Sequence, residues 1–264
     1  MFKSKFNLFI LSAVFVGVVG LVGFASASHS WGGYHWARTA NPFTLKVGDN
    51  VSAAWDAYLA TTAADWSLSS VLDVLVVPGQ VAPKTCKPIL GRAEVCNSKY
   101  GRNGWLGIAS IWASGGHITQ GTVKMNDTYF NLAQYNTPAW RNLVMCQEVG
   151  HIFGLDHQDE NFSNAPLGTC MDYSNDPNPN QHPNLHDYEM LETIYAHLDT
   201  ATTVGQSVSS ASADLDLNDP KEWGREVRKS RDGRASLYER DLNNGHKIFT
   251  FVFWDESSHR PESH

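Results

Sequence analysis

Residues 147 to 157 read QEVGHIFGLDH, and this segment constrains the chain more than any other. On an α-helix, positions i and i+4 lie one above the other, so Gln147 and His151 share a face with Glu148 beside them. Thr137 and Pro138 read as an N-cap followed by a first-turn proline, and Ala139 to Phe153 then continues without a breaker. Gly154 lets the chain leave the helix sharply, which swings His157 back towards the same place. The segment therefore predicts one helix whose last turns and exit gather an amide, a carboxylate and two imidazoles. Imidazole nitrogens are good donors to a divalent metal, and a neutral amide oxygen is a harder and weaker one. A carboxylate beside them suits a general base.

The chain opens with Lys3 and Lys5, an almost unbroken apolar run from Phe6 to Phe24, and then Ala25, Ser26 and Ala27. That is the pattern of a secretory signal over residues 1–27 with an A-x-A cleavage site, an uncleaved anchor being the other reading. Cleavage would remove two lysines and no acids, moving the formal charge from -7 to -9. A balance that acidic argues against nucleic acid as a partner. The expected location is secreted, either extracellular or periplasmic, with no stable membrane association after cleavage. Cys86, Cys96, Cys146 and Cys170 are an even set in a chain bound for an oxidising compartment, which predicts two disulfides. Three connectivities are open; Cys86 and Cys96 flank one Gly- and Pro-containing loop, which favours Cys86–Cys96 and so Cys146–Cys170.

Hydrophobic periodicity orders the rest. After a Trp- and Gly-rich leader, Phe43 to Val47 alternates like a strand, Val51 to Trp66 has helical spacing, and Val71 to Val77 reads as a buried strand, together a βαβ unit. Cys86 to Cys96 reads as loop. Trp105 to Trp112 and Ile118 to Met125 read as strands, and Leu185 to Leu198 as an amphipathic helix. Residues 200–220 shift to Ser, Ala, Thr and Asp and read as a flexible linker. Beyond it, three alternating stretches within 221–256 predict a small β-meander module, packed on the main domain or on a partner because such a sheet is marginal alone. Residues 257–264 read as a tail.

The spacing Glu148, His151, Gly154, His157, followed by Met171 within CMDY, resembles the metzincin zinc metalloproteases, whose signature is HExxHxxGxxH with a methionine-containing turn. The strand and helix order is similar to the matrixin-like branch, and the resemblance covers about residues 40 to 198. It departs at the first ligand position, where Gln147 replaces histidine. The resemblance implies an α+β, zincin-like catalytic domain over residues 28–199, with a mixed five-stranded sheet, an active-site helix, a C-terminal helix and a substrate cleft across the metal. It implies one catalytic zinc held by Gln147, His151 and His157, with Glu148 taking a proton from the attacking water and returning it to the leaving amine. Met171 would shape the floor, and Tyr173 would ligate or stabilise an oxyanion. The Cys146–Cys170 bridge would staple the active-site helix to the methionine turn. The implied partner is a protein or peptide substrate, and the expected state is a monomer. A catalytically inactive secreted binding protein on the same scaffold is the alternative.

Three further features rank lower. His117 stands beside glycines and reads as a turn or surface residue rather than a ligand. His182 and His186 stand four apart with Pro183 between them, which argues against a shared helix face. The acidic, Asn-rich segment from Asp172 to Asp187 could hold calcium but lacks the spacing of a defined calcium loop.

Overall fold

The computed structural model describes residues 29–207, 215 and 217–256. The expected signal at 1–27, the tail at 257–264 and residues 208–214 and 216 of the expected linker lie outside the described residues.

The chain is α+β. Strand β1 (His35–Trp36) leads into β2 (Phe43–Asn50), helix α1 (Asp56–Trp66) and β3 (Leu72–Pro78), which pairs parallel with β2 as the βαβ pattern predicts. Then follow β4 (Ala93–Ser98), β5 (Trp105–Ser114), β6 (His117–Asn126), the short α2 (Asp127–Phe130), α3 (Pro138–His151) and α4 (Leu185–Ile194). The order β3-β2-β4-β6-β5 gives a mixed five-stranded sheet in which only β5 runs antiparallel to its neighbour β6. β1 pairs parallel with β6, setting His35 opposite His117.

The structure departs from the sequence reading at three places. The stretch read as a loop between Cys86 and Cys96 contains the first four residues of β4, which lies inside the sheet between β2 and β6. Its sequence, AEVCNS, carries a charge where a buried strand normally has none. Glu94 is fully buried nonetheless, because Arg92 lies 2.6 Å from one carboxylate oxygen and Asn50 donates to the other at 2.5 Å. Gly48 on β2 makes the room: a Cβ there would lie 2.1 Å from the Glu94 carboxylate.

The C-terminal strands are not a separate module. β7 (Arg225–Lys229), β8 (Ala235–Asp241) and β9 (His246–Trp254) extend the main sheet, with β9 pairing antiparallel along nearly all of β5. β9 is buried on both faces. Phe249, Phe251 and Phe253 join the main core, while Ile248, Val252 and Trp254 join a second cluster with Trp105, Ile108, Trp112 and Trp223. Side chains alternate across a strand, so this two-sided burial makes β9 an interior strand of the sheet.

The described ends of the segment read as a linker are held in place. Thr203 donates to the Ala37 carbonyl and Gly205 to that of Gly91. Leu217 is buried, and its carbonyl accepts from the Trp223 indole.

Candidate active site

Helix α3 forms as its sequence dictates: the Thr137 hydroxyl caps the Trp140 N–H and Pro138 occupies the first turn. Its far end is finished by residues distant in sequence. The Trp31 and Trp36 indoles donate to the carbonyls of His151 and Ile152, and the Tyr195 hydroxyl to that of Phe153, satisfying oxygens that a helix end leaves without partners. Gly154 takes φ +98°, and a Cβ there would lie 2.3 Å from the Tyr34 carbonyl oxygen, so only glycine makes this exit.

The exit gathers the expected residues. Gln147, Glu148, His151, His157, Met171 and Tyr173 are all buried, none more than 8% exposed. The His151 and His157 rings stand edge to face with centroids 4.5 Å apart, and the Tyr173 ring lies 4.3 Å from that of His157. His151 Nδ1 lies 2.9 Å from the Leu155 carbonyl, and His157 Nδ1 lies 3.2 Å from a Glu160 carboxylate oxygen. Each partner can only accept, so both Nδ1 atoms carry a proton and both Nε2 atoms are turned away from these partners. Gln147 Nε2 donates to the Cys170 carbonyl at 2.9 Å, which fixes its amide in the opposite sense, with the oxygen free.

Four buried polar atoms here have no hydrogen-bond partner among the described residues: Gln147 Oε1, Glu148 Oε2, His151 Nε2 and His157 Nε2. Buried polar groups are normally satisfied, so four such atoms in one place, of residue types that ligate metals, fit a divalent metal. Burial lowers the His151 pKa well below its ordinary value, reinforced by the nearby His157, and keeps the ring neutral. Burial also holds the Glu148 carboxyl well above the carboxylate range, against a smaller lowering effect from the Ala109 N–H. Tyr173 is raised for the same reason, with Glu148 next, and stays a phenol.

Both disulfides form as expected, Cys86–Cys96 and Cys146–Cys170. The second ties α3 to the residue before Met171. Met171 packs under α3 at Gly150, where a Cβ would lie 2.5 Å from the Met171 sulfur and 2.8 Å from the Trp66 ring.

Among the described residues, side chains of β9 cover the site where an open cleft was expected. Phe251 of β9 stacks on His151 at 4.0 Å with the planes 11° apart, and Phe253 stands edge to face with Tyr173 at 4.8 Å. Arg228 of β7 pairs with Asp156, and with Glu160 at 3.1 Å. Asp156, His157 and Glu160 come close enough to suggest a cation site, but this guanidinium already neutralises the carboxylates. A groove of about 610 Å³ beside the N-terminus of α3, lined by Thr137, Trp140, Asn175 and Gln181 among others, stops short of the buried histidines. Sequence reasoning missed Phe251 and Phe253; the apolar alternation of β9 was the available signal, and its position over the site was not.

No protein-family model matches this chain, and no curated protein does. Among solved structures it is similar to high choriolytic enzyme 1, a hatching enzyme zinc-protease from Oryzias latipes (medaka fish). The two are 9% identical with a TM-score of 0.33, over 63% of this chain and 96% of that one. A likeness that slight carries no functional weight.

The lower-ranked candidates fall elsewhere. His182 bonds Asp65 at 2.7 Å, and His186 stacks on His29 with centroids 4.7 Å apart. In the segment considered for calcium, Asp187 accepts from Thr169, Asn184 and Gln158, and one oxygen of Asp172 accepts from Leu167 and Asn180. Its acids thus serve mainly as loop caps.

Proposed function

We propose that this chain is a secreted zinc-dependent endopeptidase of the metzincin type, described here in a closed conformation. The observation that carries the reading is the set of buried, unpartnered donors Gln147 Oε1, His151 Nε2 and His157 Nε2, with Glu148 Oε2 unpartnered beside them. These residues would hold the zinc. When bound, zinc would supply Lewis-acid activation of water and of a peptide carbonyl.

The chain's own residues supply the rest. Glu148 is the base: it takes a proton from the attacking water and passes it to the leaving amine. Its carboxyl is steadied by the Ala109 N–H of β5. Leu155 and Glu160 orient the two imidazoles through their Nδ1 atoms, leaving each Nε2 towards the proposed metal. Tyr173, kept as a phenol, would donate a hydrogen bond to a developing oxyanion. A substrate carbonyl reaches Glu148 only after Phe251 and Phe253 give way, so turnover requires β9 to loosen from β5.

Burial of the whole site and a glutamine at the first ligand position favour a second reading, a non-catalytic secreted binding protein on the same scaffold. One experiment separates them: measure zinc in the purified chain and its hydrolysis of unfolded protein, with and without a chelator, beside Glu148→Ala. Chelator-sensitive cleavage that Glu148→Ala abolishes establishes the protease. Zinc-free protein without such cleavage establishes the binding protein. Tyr173→Phe, if it leaves metal content and cleavage unchanged, removes Tyr173 from the machinery.

A further inference from the structure

Away from α3, the donor atoms of His35, His117 and Asp199 lie within 4.8 Å of one another, with His197 next to them. His117 Nε2 lies 3.2 Å, His35 Nε2 3.5 Å and His197 Nε2 3.7 Å from the same oxygen, Asp199 Oδ1, and His197 Nε2 lies 3.1 Å from His35 Nε2. Donors about 2.0–2.2 Å from a tetrahedral ion stand about 3.3–3.6 Å from one another. The four separations scatter around that value.

The surroundings orient these groups. His35 Nδ1 lies 2.9 Å from the Gly33 carbonyl, an acceptor only, which holds the ring with Nε2 facing Asp199. Asp199 divides its oxygens. Oδ2 accepts from the Arg38 backbone N–H at 3.1 Å and from its guanidinium at 3.0 Å, while Oδ1 faces the imidazoles. The guanidinium is fixed in turn by the carbonyls of Tyr195 and His197. Parallel pairing of β1 with β6 sets His35 opposite His117.

We propose that His35, His117 and Asp199, with the half-exposed His197 beside them as fourth ligand, form a second divalent-cation site, of zinc type, independent of the α3 site. With His197 as fourth ligand, three imidazoles and one carboxylate would fill a tetrahedral shell, which suits a structural rather than a catalytic site. It clasps β1, the start of β6 and the segment after α4. The indoles that finish α3 come from Trp31 and Trp36, which flank His35, so the clasp also anchors the element that terminates the active-site helix.

The test is metal stoichiometry of the full chain, without a polyhistidine tag, loaded with Zn²⁺ and desalted, beside His117→Ala/His197→Ala. Both side chains are about half exposed, so the variant keeps its packing. The expected result is a fall of one zinc per chain, loss of the visible absorption of one four-coordinate Co²⁺, and a melting temperature about 5–10 °C below that of the loaded wild type. Equal zinc content in the two proteins, one or none, overturns the proposal. One zinc in the wild type and none in the variant supports it while removing the α3 site, so the two readings fail separately.

Discussion

The side-chain amide of Gln147 donates to the backbone carbonyl of Cys170, whose sulfur is bonded to that of Cys146, the residue before Gln147. A carbonyl can only accept, so this bond decides which end of the amide is committed and leaves Oε1 as the free atom. The glutamine that breaks the expected ligand pattern is thereby held with a donor oxygen available. An amide oxygen remains a weaker zinc donor than an imidazole. Gln147→His is expected to raise zinc affinity at least tenfold, read by competition with a chromophoric chelator. Unchanged affinity would mean that position 147 does not face the metal.

The Cys146–Cys170 bridge closes a loop with a sequence separation of 24. Chain-entropy arguments put such a cross-link at about 3–4 kcal/mol. Replacing both cysteines with alanine is expected to lower unfolding free energy by about that amount in urea titrations, and to weaken zinc retention as Met171 and α3 lose register. A loss below about 1 kcal/mol would show that packing alone holds them.

Gly150→Ala sets two effects against each other. Alanine is the better helix former by about 1 kcal/mol. A Cβ at Gly150, however, would meet the Met171 sulfur at 2.5 Å and the Trp66 ring at 2.8 Å, and overpacking of that kind costs about 1–3 kcal/mol. Net destabilisation is expected in denaturant titration. A more stable variant would show that Met171 can retreat.

Phe251 is 1% exposed and covers His151 face to face. Phe251→Ala is expected to destabilise the chain by about 3–5 kcal/mol. If β9 closes the site, the same variant shows faster chelator-sensitive cleavage than the wild type, measured below its unfolding temperature. Slower metal exchange and no gain in cleavage would argue that β9 is no barrier.

Burial alone would raise the Asp156 carboxyl, but the bond from Arg228 and the charges of His157 and Arg228 outweigh it, so its pKa lies below the ordinary 3.8. A depressed carboxylate stabilises the fold above the unfolded value, and this contribution is lost as pH falls through the lowered folded value. Arg228→Ala should therefore lower the melting temperature at pH 6, with the difference from wild type shrinking as pH falls below about 3.8. A difference that stays constant down to pH 2 would show that the pair contributes nothing through Asp156 ionisation.

Several features could be read from the sequence because they depend on local spacing. Thr137, Pro138 and Gly154 mark the ends of α3, and the i, i+4 relation of Gln147 and His151 follows from helix geometry alone. The loop between Cys86 and Cys96 suggested one disulfide and left the other by elimination, and both are present. β4 could not be read in this way. Its Glu94 breaks the apolar pattern, and the compensation comes from Arg92, Asn50 and a glycine on another strand.

Tertiary structure alone decided the placement of β9 and the meeting of His35, His117, His197 and Asp199. Alternation identifies β9 as a strand and says nothing of its neighbour; pairing with β5 is what sets Phe251 over His151. His117 reads as an isolated turn histidine because its partners lie 82 residues before it and 80 and 82 after it. Periodicity carries information over the few residues that share a turn or a pleat. Contacts between distant residues are set by sheet register and by packing of the whole chain, and no local spacing records them.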